Sequence, residues 1–200
     1  MSEEMKSAAG AEKPDWRKNM MLYLHDMVTY LTVIVLLLLL VFRVVVVSGT
    51  SMNGTLLDGD YLLLMSNVFY REPRQGDIVV ISKESFDDGA PIVKQVIATE
   101  GQVVDIDFAA GIVYVDGVPL DEPYTYTPTN INGGMSFPLT VAEGCAFVLG
   151  DNRNGSRDSR YMEIGLVDER EILGKAFLLF IPGSNKGEFA PDFGRIGVIG

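Results

Sequence analysis

Asp77-Ile78-Val79-Val80-Ile81 and Pro91-Ile92-Val93-Lys94-Gln95-Val96-Ile97 are short apolar runs rich in β-branched residues. Runs of this length and composition, bounded by Gly, Asp and Pro, read as strands rather than helices. The same texture recurs outward in both directions, at residues 61–65, 103–106, 111–115, 146–149 and 176–181. Asp116-Gly117, set between Val115 and Val118, is the signature of a tight hairpin turn. The chain is therefore expected to be all-β, with many short, mostly antiparallel strands. Residues 103–143 differ in carrying four prolines, Asn130, Asn132 and Gly133-Gly134, and are expected to form a small inserted β lobe.

One segment breaks this pattern. From Met27 to Phe42 there is no charge, and Leu36 to Leu40 is unbroken leucine. At 1.5 Å per residue, roughly 20 such residues cross the hydrocarbon core of a bilayer. A cleaved signal peptide has a shorter apolar core, about 7–15 residues, so an uncleaved transmembrane anchor over residues 21–43 is expected. Arg43 would snorkel at its far interface. The small residues of Val47-Ser48-Gly49 keep cleavage as the alternative. Lys13, Arg17 and Lys18 precede the segment, and after Arg43 the next cation is Arg71. The positive-inside bias then makes residues 1–20 a cytoplasmic tail and 44–200 an extracytoplasmic domain of a single-pass cell-membrane protein.

The formal net charge of −11 over 200 residues argues against nucleic acid as a partner, because phosphate binding needs clustered cations. The one cysteine, Cys145, has no intramolecular disulfide partner and reads as a packed thiol. The one histidine, His25, precedes the apolar run, on the cytoplasmic side of the expected anchor. An outer domain thus lacks the histidine of a Ser-His-Asp triad and has no His or Cys cluster for a metal. Asp151-Asn152-Arg153-Asn154-Gly155-Ser156 is a poor calcium loop, since Arg153 and Gly155 stand where oxygen ligands are required. No metal or cofactor is expected.

A nucleophilic serine in this domain would need a carboxylate or a lysine as its base. Burial can push a lysine from about 10.4 toward neutrality. Of the lysines after the anchor, Lys83 and Lys186 have solvated surroundings, and Lys175, ahead of an apolar strand, is a second choice. Lys94 has the most apolar setting. Strand alternation puts Ile92, Lys94 and Val96 on one face and Val93, Gln95 and Ile97 on the other, so either face is mostly apolar. Ser51 lies in Gly49-Thr50-Ser51-Met52-Asn53-Gly54, at the entrance to a turn where free backbone N–H groups could form an oxyanion hole.

These residues fall into blocks. Ser-Met-x-x-Thr-Leu with Gly-Asp following (Ser51 to Asp60), Gly-Asp-Ile-Val-Val (Gly76 to Val80) and Val-Lys-x-Val-Ile (Val93 to Ile97) precede Gly150-Asp151-Asn152-Arg153-Asn154-Gly155-Ser156-Arg157-Asp158-Ser159-Arg160. In this order, behind an amino-terminal anchor, they resemble the bacterial type I signal peptidases over residues 47–166. The resemblance implies a Ser-Lys endopeptidase that removes signal peptides from secretory preproteins. Ser51 would be its nucleophile and Lys94 its general base. Ser156 would hydrogen-bond Lys94, an Asp158–Arg160 pair would hold the loop, and Asp151 and Arg153 would support it. The Ser51 N–H would donate to the oxyanion. Some relatives add a hydroxyl two residues earlier, where Gly49 stands here, leaving Ser48 as a substitute.

Val47, Met52, Leu56 and Ile92 would line shallow pockets admitting small side chains at positions −1 and −3 of the precursor. At about 3.3 Å per residue, Ser51 lies within roughly 30 Å of Phe42 along the chain, near the lipid surface. Three departures mark a diverged member: Gly54 in place of the usual proline, Gln95 in place of arginine, and Ala98-Thr99-Glu100-Gly101-Gln102 in place of Gly-Leu-Pro-Gly-Asp. The alternatives are a soluble self-cleaving repressor-type protease, disfavoured by the anchor and the acidity, and a catalytically inactive anchored β domain that binds peptides or partner proteins.

Overall fold

In the computed structural model, residues 16–184 and 191–199 are described. Most of the expected tail (1–15) and Lys186 lie outside them. The chain divides into two compact units, residues 1–40 and 41–200.

Over its described residues the first unit is helical. Helix α1 (Trp16–Val41) contains a stretch, Asn19–Val41, long and apolar enough to cross a membrane. Its 23 residues span about 34 Å at 1.5 Å each. Two hydroxyls along it satisfy themselves: Thr29 Oγ1 donates to the His25 carbonyl at 2.9 Å and Thr32 Oγ1 to that of Val28 at 2.8 Å. Such back-bonding suits a helix without water around it.

The apolar run changes secondary structure before it ends. Residues 42–43, read from sequence as the end of the anchor, open strand β1 (Phe42–Val46), which pairs antiparallel with β2 (Tyr61–Ser66). Arg43 stands opposite Leu64 in that ladder. Four consecutive valines, 44–47, favour the pleat over the helix because branching at Cβ restricts χ1.

The second unit is all-β. Along the main sheet come β3 (Ile78–Ile81), β4 (Ile92–Thr99), β9 (Cys145–Leu149), β10 (Val167–Asp168) and the long β11 (Ile172–Ile181). Their order is β1-β2-β11-β3-β4-β9-β10, every pairing antiparallel, with β12 (Gly197–Val198) joining β11. A second, four-stranded sheet runs β7 (Val118–Pro119), β6 (Ile112–Val115), β5 (Val103–Asp107), β8 (Leu139–Thr140). Asp116 and Gly117 both take positive φ (53° and 77°), as a two-residue hairpin of type I′ requires.

The two sheets share a core. Ile97, Ala98, Phe147 and Leu149 of the main sheet pack with Val104, Ile106, Val113 and Val115 of the smaller one. Phe137 bridges them edge-on, 5.8 Å from Phe108 and 5.9 Å from Phe147 between ring centroids. Because this core is common property, the sheets should melt together. Phe147→Ala should cost about 3–5 kcal/mol and leave a single denaturant transition. Two separated transitions would mean independent lobes.

Candidate active site

Ser51 sits in a loop closed at its base by two backbone bonds, Val47 N–H to the Asp60 carbonyl (2.8 Å) and Gly59 N–H to that of Val47 (2.9 Å). Inside it the chain coils, with the Leu56 N–H on the Met52 carbonyl at 2.8 Å. Met52 and Leu56 are buried and anchor the coil from below. The top is tied sideways to the loop after β9: the Asn152 N–H donates to the Ser51 carbonyl at 3.0 Å and the Asn152 amide to that of Thr50 at 3.1 Å. The Ser51 N–H itself has no acceptor among the described residues. A free N–H beside a half-buried hydroxyl is what a developing oxyanion needs.

Lys94 meets this hydroxyl. Third residue of β4 and opposite Val79 of β3, it is 2% exposed. Its Nζ lies 2.9 Å from Ser51 Oγ and 3.0 Å from its neighbour's carbonyl, Val93 O. Burial pushes the amine down to about 8, against the pull of the Asp158 and Asp151 carboxylates. Desolvation wins because it outweighs the pull of the two carboxylates, of which Asp158 is already answered by a cation.

Asp158 is answered by Arg160. The pair is bidentate, Nε to Oδ1 and Nη2 to Oδ2 at 2.8 Å each, and neither side chain is exposed. Arg160 also binds the carbonyls of Ile131 and Arg153, and Asp158 Oδ2 accepts the Gly150 N–H at 3.2 Å. Arg153 makes a second fork, Nη1 and Nη2 to Glu122 Oε2 and Oε1 at 2.8 and 2.6 Å, with Nη1 also reaching Thr129 Oγ1. Asp151 is the opposite case. Both its carboxylate oxygens are buried without a hydrogen bond, and burial pushes the acid up to about 6, only partly offset by the nearby Thr55 hydroxyl and the Arg153 cation.

Compared with known proteins, residues 20–181 match the family described as "Signal peptidase, peptidase S26". The chain belongs to this signal peptidase family. It is 37% identical over 149 residues to a "Probable signal peptidase I-1" of Synechocystis, covering 71% of this chain and 72% of that protein. It is 33% identical over 184 residues to a "Signal peptidase I" of Bacillus licheniformis, covering 86% and 94%. A crystal structure of a signal peptidase I from Enterococcus faecalis is 31% identical, covering 52% of this chain and 96% of that one, with a TM-score of 0.42.

Against this signal peptidase background, the expected site residues fall into three groups. Ser51 and Lys94 are joined by a hydrogen bond. Val47, Met52 and Leu56 lie in one apolar cluster with Leu62, Leu64, Ile78, Val80 and Val93, whereas Ile92 packs beside a different cluster around Val79 and Val96. Ser156 is buried, but its hydroxyl donates to the Arg157 carbonyl at 3.4 Å rather than bonding Lys94. It lies over Gly150, where an added Cβ would stand 2.2 Å from Ser156 Oγ and 2.5 Å from the Ser51 carbonyl. Gly49 is exposed, its N–H on Asp58 Oδ1 at 2.8 Å, and an added Cβ there would meet nothing within 4 Å.

Two other lysines, Lys83 and Lys175, are occupied. Lys83, expected to be solvated, is pinned by Glu171 (3.0 Å) and the Leu166 carbonyl (2.8 Å). Lys175 pairs with Asp77 at 2.5 Å, in a cavity wall with Phe69, Tyr70 and Arg74 that includes neither Ser51 nor Lys94. The Cys145 thiol is half-buried and pushed up by that burial. Among the described residues no group of His, Cys, Asp and Glu could hold a metal.

Sequence reasoning missed Glu122, which lies in the proline-rich excursion and carries no local mark of its role. Gly54, standing where the resemblance leads one to expect proline, is packed too closely to exchange for it. Gly54 takes φ +114°, and a Cβ there would stand 2.3 Å from the Tyr124 carbonyl. Proline needs φ near −65°, so Gly54→Pro, though it brings in the residue usual among relatives, should cost at least about 2 kcal/mol in denaturant unfolding.

Lys94 has a thermodynamic signature of its own. Its folded pKa lies below the unfolded one, so the unfolded chain binds the extra proton between about pH 8 and 10.5. Stability therefore rises with pH through that window, and below it the buried charge costs about 3 kcal/mol. Lys94→Met should raise unfolding stability at pH 7 by about 1–3 kcal/mol; an equal-sized loss would show the lysine to be a net structural asset.

Proposed function

We propose that this chain is a membrane-anchored serine endopeptidase that removes signal peptides from secretory preproteins through a Ser51–Lys94 dyad. The observation that carries this is the 2.9 Å contact between Lys94 Nζ and Ser51 Oγ, made by an amine that burial holds near pH 8. Neutral Lys94 takes the hydroxyl proton as Ser51 Oγ adds to the scissile carbonyl. The oxyanion that forms is met by the Ser51 N–H. As the C–N bond breaks, the Lys94 ammonium returns the proton to the leaving amine, leaving an acyl-enzyme. Water, deprotonated by the same lysine, then attacks the ester, and proton return frees Ser51.

The positions of the remaining residues support supporting roles for Asp158, Arg160 and Arg153, which hold the loop against Ser51 and Lys94. Asp151 acts on Lys94 through its charge. Ser156 acts by packing over Gly150. Substrate is an extended precursor segment with small residues at −1 and −3, the kind of peptide that adds along strand backbone with alternate side chains in pockets. Val47, Met52 and Leu56, expected to line pockets, are buried in the core, so they would shape the floor under the Ser51 loop rather than meet substrate, and Gly49 leaves open space at the entrance. We assign residues 1–20 to a cytoplasmic tail, the apolar helix to the anchor in contact with lipid, and the β unit to the outer side, on the cation asymmetry around the helix.

Detergent-solubilised protein should cleave a precursor with Ala-x-Ala before the cut, and Ser51→Ala and Lys94→Ala should each reduce this by at least about 10³-fold. Near-parental rates in either would leave an inactive peptide-binding domain as the better account. For the active protein, kcat/KM should climb with pH through an apparent pKa near 8 as Lys94 loses its proton. Asp151→Asn removes a charge that favours the ammonium, so its limb should move to lower pH. A limb that stays in place would remove Lys94 as the group titrating.

A further inference from the structure

The family match ends at residue 181, yet the segment beyond it returns to the loop that carries Ser51. Arg195, presented by a short 3-10 turn (Phe193–Arg195) capped by Asp192, spreads its guanidinium over two points of that loop. Nη1 and Nη2 bind Asp60 Oδ1 and Oδ2 at 2.9 and 2.6 Å, and Nη2 also reaches the Thr55 carbonyl at 3.2 Å. Asp60 is fully buried and accepts two further bonds, from the Leu57 N–H (2.7 Å) and the Gly183 N–H (2.7 Å). The turn is held from the other side by β12, which pairs with β11 at Leu178 and Leu179, and by the Ile199 N–H on the Phe177 carbonyl at 3.0 Å.

We infer that Arg195 is a positioning residue for Ser51, a clamp from beyond the family-matched region that fixes the loop through Asp60 and the Thr55 carbonyl. The inference deepens the proposed function and rests on Ser51 being the nucleophile. Thr55 adjoins Gly54, whose φ of +114° glycine adopts without strain and whose backbone packs against the Tyr124 carbonyl. The Thr55 peptide is also four residues from Ser51, within the coil closed by the Leu56-to-Met52 bond. A bidentate fork on Asp60 with a third bond at Thr55 fixes the loop where displacement would carry Ser51 off Lys94. Misplacing a nucleophile by about 1 Å can cost on the order of 10²-fold in rate. Arg195 touches neither Ser51 nor Lys94 and would act through loop geometry alone.

The test compares full-length Arg195→Ala and Arg195→Lys with the parent in detergent, by precursor cleavage and by peptide-resolved hydrogen exchange. Lysine keeps a charge for Asp60 but cannot fork across the carboxylate and reach Thr55 as well. Rates are normalised to the folded fraction at the assay temperature. The alanine variant should lose roughly 10–100-fold in kcat with KM within about 2-fold, and the lysine variant should fall between. Exchange over residues 49–57 should accelerate by about an order of magnitude while β4 and residues 150–160 keep parental protection. Unchanged exchange over 49–57, acceleration spread evenly over the domain, or unchanged kcat per folded molecule in an active background would each overturn the clamp. If the parent itself cleaves nothing, the proposed function falls, and the exchange pattern alone decides whether Arg195 orders the loop.

Discussion

Arg160 is a guanidinium without access to water, and the neighbourhood of Ser51 is assembled around it. Removing that charge from solvent is costly, and it is tolerable because Asp158 takes two of its donors while the Ile131 and Arg153 carbonyls take two more. Those acceptors come from separate stretches of chain, so satisfying one side chain joins them. Ile131 belongs to the excursion between β7 and β8, Arg153 to the loop that follows β9. Through Asp158 and Gly150 the same pair reaches the peptide that lies against Ser51. Removing either partner alone would strand the other's charge in the interior, and removing Asp158 would also take from Lys94 one of its two negative neighbours.

A second balance is set on top of this one. The chain is strongly acidic, yet its buried carboxylates are distributed unequally. Asp158 and Asp60 are fully answered by arginines, whereas Asp151 has no bond to either oxygen. A fully compensated surrounding would leave Lys94 to desolvation alone and lower it further. A surrounding of free carboxylates would keep it an ammonium. One answered acid and one reluctant acid hold the amine between these limits, near pH 8.

Much of the β architecture is legible in the sequence because strands and turns are local. Residues 61–65, 78–81 and 92–97 read as strands and are strands, and Asp116-Gly117 makes the hairpin its chemistry demands. Strand β1 was hidden because Phe42–Val46 continues an apolar run without interruption; only its branched side chains mark the change. β10 and β12, two residues each, carry no periodicity to detect. In the site, the lone histidine ahead of the apolar run points to a lysine or carboxylate base and Lys94 has the most apolar setting, while the roles of Ser51 and Lys94 are implied by the resemblance. The burial of the Asp158–Arg160 and Arg153–Glu122 pairs was not legible, because charges in a polar-looking loop give no sign of depth until distant acceptors are brought to them. Arg195 was invisible for the same reason: its partner, Asp60, lies 135 residues away.

The low-dielectric seat of Lys94 bears on how such a chain would drift. Most substitutions weaken a protein, and inheritance ordinarily filters against them. At this position the filter points the other way, since an apolar residue would fit the surroundings better than the one present. A descendant no longer required to cut would be expected to lose this lysine early, and to gain robustness in doing so. Where such a buried amine beside a serine hydroxyl persisted, it would record continuing use more faithfully than any well-packed valine around it.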